Sequence, residues 1–181
     1  SELPLAGLKV LDFMWVMAGP IFTRVLSDYG ATVIRVESTT KLDAVRAAPP
    51  FKNDELEMSN SAPYSNFNAG KIGITIDPSN PVGKEVILDL VKWADVVTES
   101  FSPKAMRAWG LDYESLKAVN PNLIMVSSCL MGQTGDRAMV PGYGNMAASI
   151  TGFYELTGWS DRSPAGPYLA YTDGVSPRFM V

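Results

Sequence analysis

Apolar positions in this chain fall into short runs separated by turn residues. Leu8 to Met14 (LKVLDFM) is rich in branched side chains and has the length of a buried strand. The turn Ala18-Gly19-Pro20 follows, and from Ile21 to Tyr29 the apolar positions take helical spacing until Gly30 stops them. Ala31 to Glu37 (ATVIRVE) reads as a second strand. A strand, a helix and a strand in this order predict a parallel pair, because a tight hairpin turn is absent between the strands. Residues 39 to 70 are polar and rich in Pro, Asn and Ser, and read as one long loop. Loops of that length inside a domain are usually functional or partly mobile.

The alternation then resumes. Ile72 to Ile76 (IGITI) predicts a strand closed by Asp77-Pro78. Ser79 or Asn80 caps a predicted helix that carries Pro81 early and runs to Trp93. Asp95 to Glu99 (DVVTE) is a further strand, Pro103 to Trp109 a short helix ended by Gly110, and Tyr113 to Val119 another helix. Leu123 to Cys129 (LIMVSSC) is a fourth or fifth strand, with Cys129 expected as a small buried hydrophobe inside it. Met131 to Gly142 is a Gly-rich loop and Asn145 to Thr157 a helix of small and apolar residues. Tyr168 to Thr172 leads to Asp173, and Ser176-Pro177 opens a last helix. Strands alternating with helices predict an α/β fold, doubly wound around a mostly parallel, Rossmann-like sheet. No internal repeat or second domain is visible, and the abrupt end at Phe179-Met180-Val181 reads as a break inside a longer chain.

Composition narrows the function classes. The 181 residues carry a formal charge of −4, which argues against a general attraction to nucleic acid or an anionic membrane. No apolar run approaches the roughly 20 residues that span a bilayer, and the start SELPLAGLKVLDF lacks the basic opening of a signal peptide. A lone cysteine permits no internal disulfide, so a cytoplasmic location is expected. The chain contains no histidine, which removes Ser-His-Asp and Cys-His catalysis and His-based zinc sites; no metal site is expected. Catalysis within the chain therefore falls to carboxylates, Lys, Tyr, Ser, Thr or Cys129.

The candidate motifs compete with plainer explanations. Gly142-Tyr143-Gly144-Asn145-Met146-Ala147 matches G-x-G-x-x-A, but that fingerprint needs a strand directly before it, and here a long loop and Pro141 intervene. Gly132-Gln133-Thr134-Gly135 lies just past a strand, where α/β ligands sit, and is equally readable as a turn. Lys71 opens a strand after a loop, a place from which a cation can reach a phosphate, though most such lysines are solvated. Asp173 stands between an aromatic approach and a helix start, where a capping aspartate is the common finding.

Taken in order, several segments resemble the class III coenzyme A transferases, the family of formyl-CoA transferase, carnitine CoA-transferase and α-methylacyl-CoA racemase. Gly7-Leu8-Lys9-Val10-Leu11-Asp12 with Ala18-Gly19-Pro20 is similar to the family's first strand and turn, and Gly30 to Glu37 to its "GADVIKVE" strand. Asn68, Lys71 and Asp77 match "NxxKxxxxxD". Asp95-Val96-Val97 through Glu99, Phe101 and Pro103, then Gly110-Leu111-Asp112-Tyr113, resemble "ADVVxENFxPG…GLxY". Asn120-Pro121 and Gly132-Gln133-Thr134-Gly135 complete a series that crosses nearly the whole chain.

The resemblance implies an acyl-CoA:carboxylate CoA-transferase. Residues 1 to 181 would form the N-terminal part of its large domain, the C-terminal half with a second, smaller domain lying outside this sequence. The family's aspartate nucleophile falls on Asp173, after Gly142-Tyr143-Gly144 and before Ser176-Pro177. The coenzyme A contacts carry over to Trp15, Met17, Ala18, Lys71, Ser100, Phe101, Ala105 and Trp109, with Arg107 as a substitute cation for the phosphates. Coenzyme A enters as the acyl-CoA substrate, with no permanently bound cofactor and a small carboxylic acid as second substrate. The family also implies two interlocked subunits, either identical or, in some members, different. Ser100, Lys104, Ser38 and Ala108 depart from the usual residues at their positions. Tyr143 stands where the racemase branch needs a histidine, which disfavours racemisation, since a phenol with a pKa of about 10 is a poor base. Gly144 replaces an acidic residue usual in transferases, which opens the alternative of a non-catalytic, CoA-binding subunit of a heteromer.

Overall fold

The computed structural model describes residues 2 to 181. Five parallel strands form one sheet in the order β3-β2-β1-β4-β5. They are β1 (Lys9–Phe13), β2 (Thr32–Glu37), β3 (Ile72–Thr75), β4 (Val96–Glu99) and β5 (Ile124–Ser127). The direction of winding reverses between β1 and β4, the place where sheets of this kind open a ligand crevice at their carboxyl ends. The doubly wound α/β expectation holds.

Alternate residues of β1 feed the two faces. Leu11 and Phe13 join Val97 and pack under α3 (Pro81–Trp93), α4 (Pro103–Trp109) and α5 (Tyr113–Val119) through Ile87, Val91, Met106 and Leu116. Val10 and Met14 join Val33 under α1 (Ala18–Asp28) through Phe22 and Leu26. Burying each large side chain contributes about 1.5–3 kcal/mol, and β1 contributes such residues to both faces. Local chemistry sets the helix ends. The Asn80 side chain accepts the Val82 and Gly83 N–H groups with Pro81 behind it, Asp112 accepts the Ser115 N–H, and Gly110 closes α4 at φ 64°.

Three expectations change. The long loop is ordered: it contains 3-10 turns at Ala44–Ala47 and Lys52–Asp54 and the helix α2 (Ala62–Phe67), which the Ser61 side chain caps. The helix expected over residues 145 to 157 is two, α6 (Gly144–Ile150) and α7 (Phe153–Leu156), because Gly152 takes φ 83° between them. Cys129 lies beyond β5 and is half-buried, its thiol donating to the Gly132 carbonyl at 3.0 Å, so it is a loop residue rather than a strand hydrophobe. The chain closes with α8 (Tyr171–Val175) and α9 (Pro177–Met180), both packed on α1. Among the described residues no helix is long and apolar enough to cross a membrane.

The α1 face of the sheet becomes ionic toward the carboxyl ends. Asp12 of β1 pairs in register with Arg35 of β2, and Glu37 follows on the same face. The loop supplies partners: Arg35 bonds Glu37 and Asp43, and Arg46 grips both Glu37 oxygens at 2.7 and 2.9 Å. The Arg46 guanidinium also lies 3.6 Å from the centre of the Tyr64 ring. Two strand charges thus explain why a polar loop folds down onto the sheet.

Candidate active site

The first turn after β1 is built by side chains rather than by a sheet or helix ladder. The Met14 N–H donates to Asp12 Oδ1 at 2.9 Å, and the Trp15 N–H to Ser100 Oγ at 2.8 Å. The Val16 N–H donates to both Asp43 oxygens at 3.1 Å. Asp12 is itself satisfied by Thr98, Thr23 and Lys71, at 2.9, 2.7 and 3.0 Å. Burial pushes the Lys71 ammonium's pKa down, against the pull of Asp12. The Lys71 side chain is 1% exposed, and its ammonium is committed to Asp12 and Asn68 inside the fold, not presented to a ligand.

Beside this turn, at the carboxyl ends of β1, β2 and β4, lies a cavity of about 280 Å³. One wall is aromatic: Trp15 meets Phe101 edge-on at 5.4 Å, and Phe101 meets Trp109 edge-on at 5.4 Å. Ala105 lines the same wall, so four residues singled out from the sequence converge there. Ser38, Thr40, Lys41, Asp77 and Ser79 make the opposite, polar side. An apolar wall facing a few polar groups is the usual make-up of a small-molecule site. Ser100 does not line the cavity but anchors the turn that does, and Arg107 is exposed on α4 outside it.

Met17 caps α1 and Ala18 begins it, and their turn leads away from the cavity toward α8. A Cβ added to Gly174 would lie 3.7 Å from Met17 Cε, so Met17 sits against the residue after Asp173. Asp173 occupies the first turn of α8, inside the helix rather than ahead of it. Its Oδ2 accepts the Gly144 N–H at 3.2 Å, while Thr172 Oγ1 donates to the Gly144 carbonyl at 2.9 Å. Burial pushes the Asp173 carboxyl up from its ordinary value, opposed by that single N–H. A Cβ at residue 144 would come within 2.8 Å of Asp173 Cγ, so glycine is what lets α6 approach the aspartate. Gly144 spends its N–H on Asp173, and no strand directly precedes α6, so the fingerprint at Gly142–Ala147 lacks its nucleotide-binding context. Tyr143 is exposed.

Lys41 and Asp43 carried no signal in the sequence, whereas Glu99 stood in a family motif without a role of its own. Lys41 falls in an aperiodic loop and reaches the cavity only because β2 and the ionic cluster carry the loop there. Glu99 ends β4 fully buried, accepting from the Phe101 N–H at 2.7 Å and from Gln133 Nε2 at 3.1 Å. Burial pushes its pKa up, against bonds from Ser127 and the Phe101 N–H. The Gly132–Gly135 loop is thereby tied to the strand end beside Phe101. Asp43 is also buried, which pushes its carboxyl up against the Val45 N–H, Arg35 and the Val16 N–H.

The fold is thus a doubly wound α/β domain with an aromatic crevice at its switch point, a half-buried carboxylate beyond the turn that lines it, and no histidine among its 181 residues. The model of CoA-transferase family III matches residues 5–181, and the chain belongs to that family. It is 39% identical over 172 residues to the succinate–glutarate CoA-transferase of Agrobacterium fabrum, covering 94% of this chain and 43% of that protein. It is 36% identical over 171 residues to the human succinyl-CoA:glutarate CoA-transferase, covering 94% and 38%. Among solved structures it is similar to a CaiB/BaiF family protein from Brucella suis, with a TM-score of 0.88 and 39% identity over 99% of this chain and 48% of that one. The chain thus spans about two fifths of the length of these curated relatives.

Proposed function

We propose that the protein of which this chain is part is an acyl-CoA:carboxylate CoA-transferase with Asp173 as nucleophile. The observation that carries the reading is the turn from Trp15 to Met17, which has one end in the aromatic cavity and the other against the helix of Asp173. Coenzyme A would lay its adenine along Trp15, Phe101 and Trp109, with Lys41 as the cation nearest that cavity. Its pantetheine arm would follow the turn past Met17 and Ala18 to the aspartate. Arg107 would have to reach from outside the cavity, and Lys71 would act indirectly, by holding Asp12 beneath the turn.

In this reading an Asp173 oxygen adds to the thioester carbonyl and the CoA thiolate leaves, giving an aspartyl–acyl anhydride. The thiolate then attacks the Asp173 carbonyl, releasing the donor acid and leaving an aspartyl–CoA thioester. The acceptor carboxylate reverses both steps and departs as the new acyl-CoA, restoring Asp173. No net proton or electron is consumed, so the absence of histidine from these 181 residues is no obstacle. The names of the relatives make succinyl-CoA the first donor to test and glutarate the first acceptor.

An interlocked homodimer is part of the proposal, since Leu156, Trp159 and Phe179 stand exposed along residues 153 to 181. The alternative of a non-catalytic subunit rests on Gly144, whose close approach to Asp173 supplies another reason for glycine, and on the thinned basic contacts at Ser38 and Ala108. The test is CoA transfer by the full-length protein beside its Asp173→Asn variant. Loss of at least about 10³-fold in turnover with acyl-CoA binding retained is the expected result. A variant that turns over like the parent contradicts the assignment.

A further inference from the structure

Val16 is a β-branched residue at φ 68°, in the left-handed region that such side chains rarely enter. An outlier of this kind persists only where its surroundings impose it. Here three side chains hold the turn: Asp12 through the Met14 N–H, Ser100 through the Trp15 N–H, and Asp43 through the N–H of Val16 itself. Both oxygens of Asp43, which lies 27 residues further along the chain, take the Val16 N–H at 3.1 Å. Asp43 is 1% exposed and is fixed independently: Arg35 donates to Oδ2 at 2.6 Å and the Val45 N–H to Oδ1 at 3.0 Å. The neighbours of Val16 are the two residues that join the cavity to the aspartate. Trp15 lies in the aromatic wall, and Met17 rests against Gly174.

We propose that Asp43 is a positioning residue for the acyl-CoA site, holding Val16 left-handed so that Trp15 and Met17 point to opposite ends of one substrate. If Val16 relaxed to the ordinary extended or right-handed backbone, the directions of Trp15 and Met17 would change relative to each other. The aromatic wall would then lose its register with Asp173. The ionic cluster of the long loop thereby has a consequence for catalysis, because Arg35 and the Val45 N–H set where the Asp43 carboxylate stands. The proposal rests on the CoA-transferase reading.

The test compares full-length wild type, Asp43→Asn, Val16→Gly and the double variant, measuring kcat and KM for the acyl-CoA that the wild type turns over. Asp43→Asn is expected to lower kcat/KM by at least about tenfold, the scale of a misplaced substrate. Adding Val16→Gly is expected to restore several-fold of that loss, because glycine enters the left-handed region without a carboxylate to hold it there. A merely structural Asp43 gives no such rescue, since glycine at residue 16 mends neither the Arg35 pair nor the 3-10 turn. A double variant no better than Asp43→Asn therefore overturns the proposal. Should Asp43→Asn fail to fold, Asp43→Glu takes its place, keeping charge for Arg35 while displacing the oxygens from Val16. A wild type without transfer activity defeats the reading beneath; an active wild type with no glycine rescue defeats the positioning role alone.

Discussion

As the proposed nucleophile, Asp173 carries two opposing demands. Half-burial against α6 raises its pKa, yet a nucleophile must be ionised to attack. Its protonated form predominates below its raised pKa, so turnover should fall as the pH drops, beginning above the value of 3.8 at which an unperturbed aspartate loses charge. A kcat/KM profile for acyl-CoA checks this; an acid limb no higher than that of a free aspartate would show that burial does not act on the reacting group. Position alone made Asp173 an ordinary helix-start residue, and only the ordered series of family motifs singled it out. Neighbouring residues show why. Gly144 looked like the loss of an acid, whereas in three dimensions it is the contact surface of the aspartate, 29 residues away in sequence. Val16 gave no signal at all, because a valine at positive φ, with its N–H on a carboxylate 27 residues away, runs against its own preference.

At the scale of elements, all five strands and most helices were legible, because each puts its apolar residues at a regular spacing onto one of two cores. The long loop was not, since its order comes from charges. Arg35 and Glu37 sit inside a strand that reads as apolar, and their partners Asp43, Arg46 and Tyr64 are scattered through a polar stretch. Burial pushes Glu37 up, but the Arg46 bonds, the Asp43 N–H and Arg35 outweigh it and hold its pKa at about 2. The folded value therefore lies below the ordinary 4.5, so the stability that Glu37 provides is complete above that pH. It is lost as the pH falls from about 4.5 toward about 2. Glu37→Gln should cost about 3–5 kcal/mol at neutral pH, as expected when one partner of a buried ion pair is removed, and should flatten this acid dependence. Thermal unfolding from pH 7 to 3 measures both; equal acid slopes for the two proteins would contradict the assignment. The helix over 145 to 157 failed as one piece for a simpler reason: Gly152 can take a positive φ, and periodicity does not register that freedom.

In the molecule as a whole, the features assigned to the proposed site gather on one side. The aromatic cavity, the Trp15–Met17 turn and Asp173 follow one another around the N-terminus of α1. A second, apolar groove of about 660 Å³ lies along the same helix, between Leu5, Ile21, Val25, Tyr29 and Pro177. Sequence patterns pointed to the aromatic residues and to Asp173 but not to the connection between them, in which Ser100, Asp12 and Asp43 hold the turn. In the proposed mechanism Asp173 exchanges covalently with coenzyme A at the end of that connection. This exchange is tested most directly by the intact mass of the full-length protein after incubation with succinyl-CoA, beside an Asp173→Ala control, followed by peptide mapping. A coenzyme A or acyl adduct on the peptide bearing Asp173, absent from the control, is the expected result. An adduct that persists in the control, or none with any acyl-CoA that the protein demonstrably turns over, would contradict it.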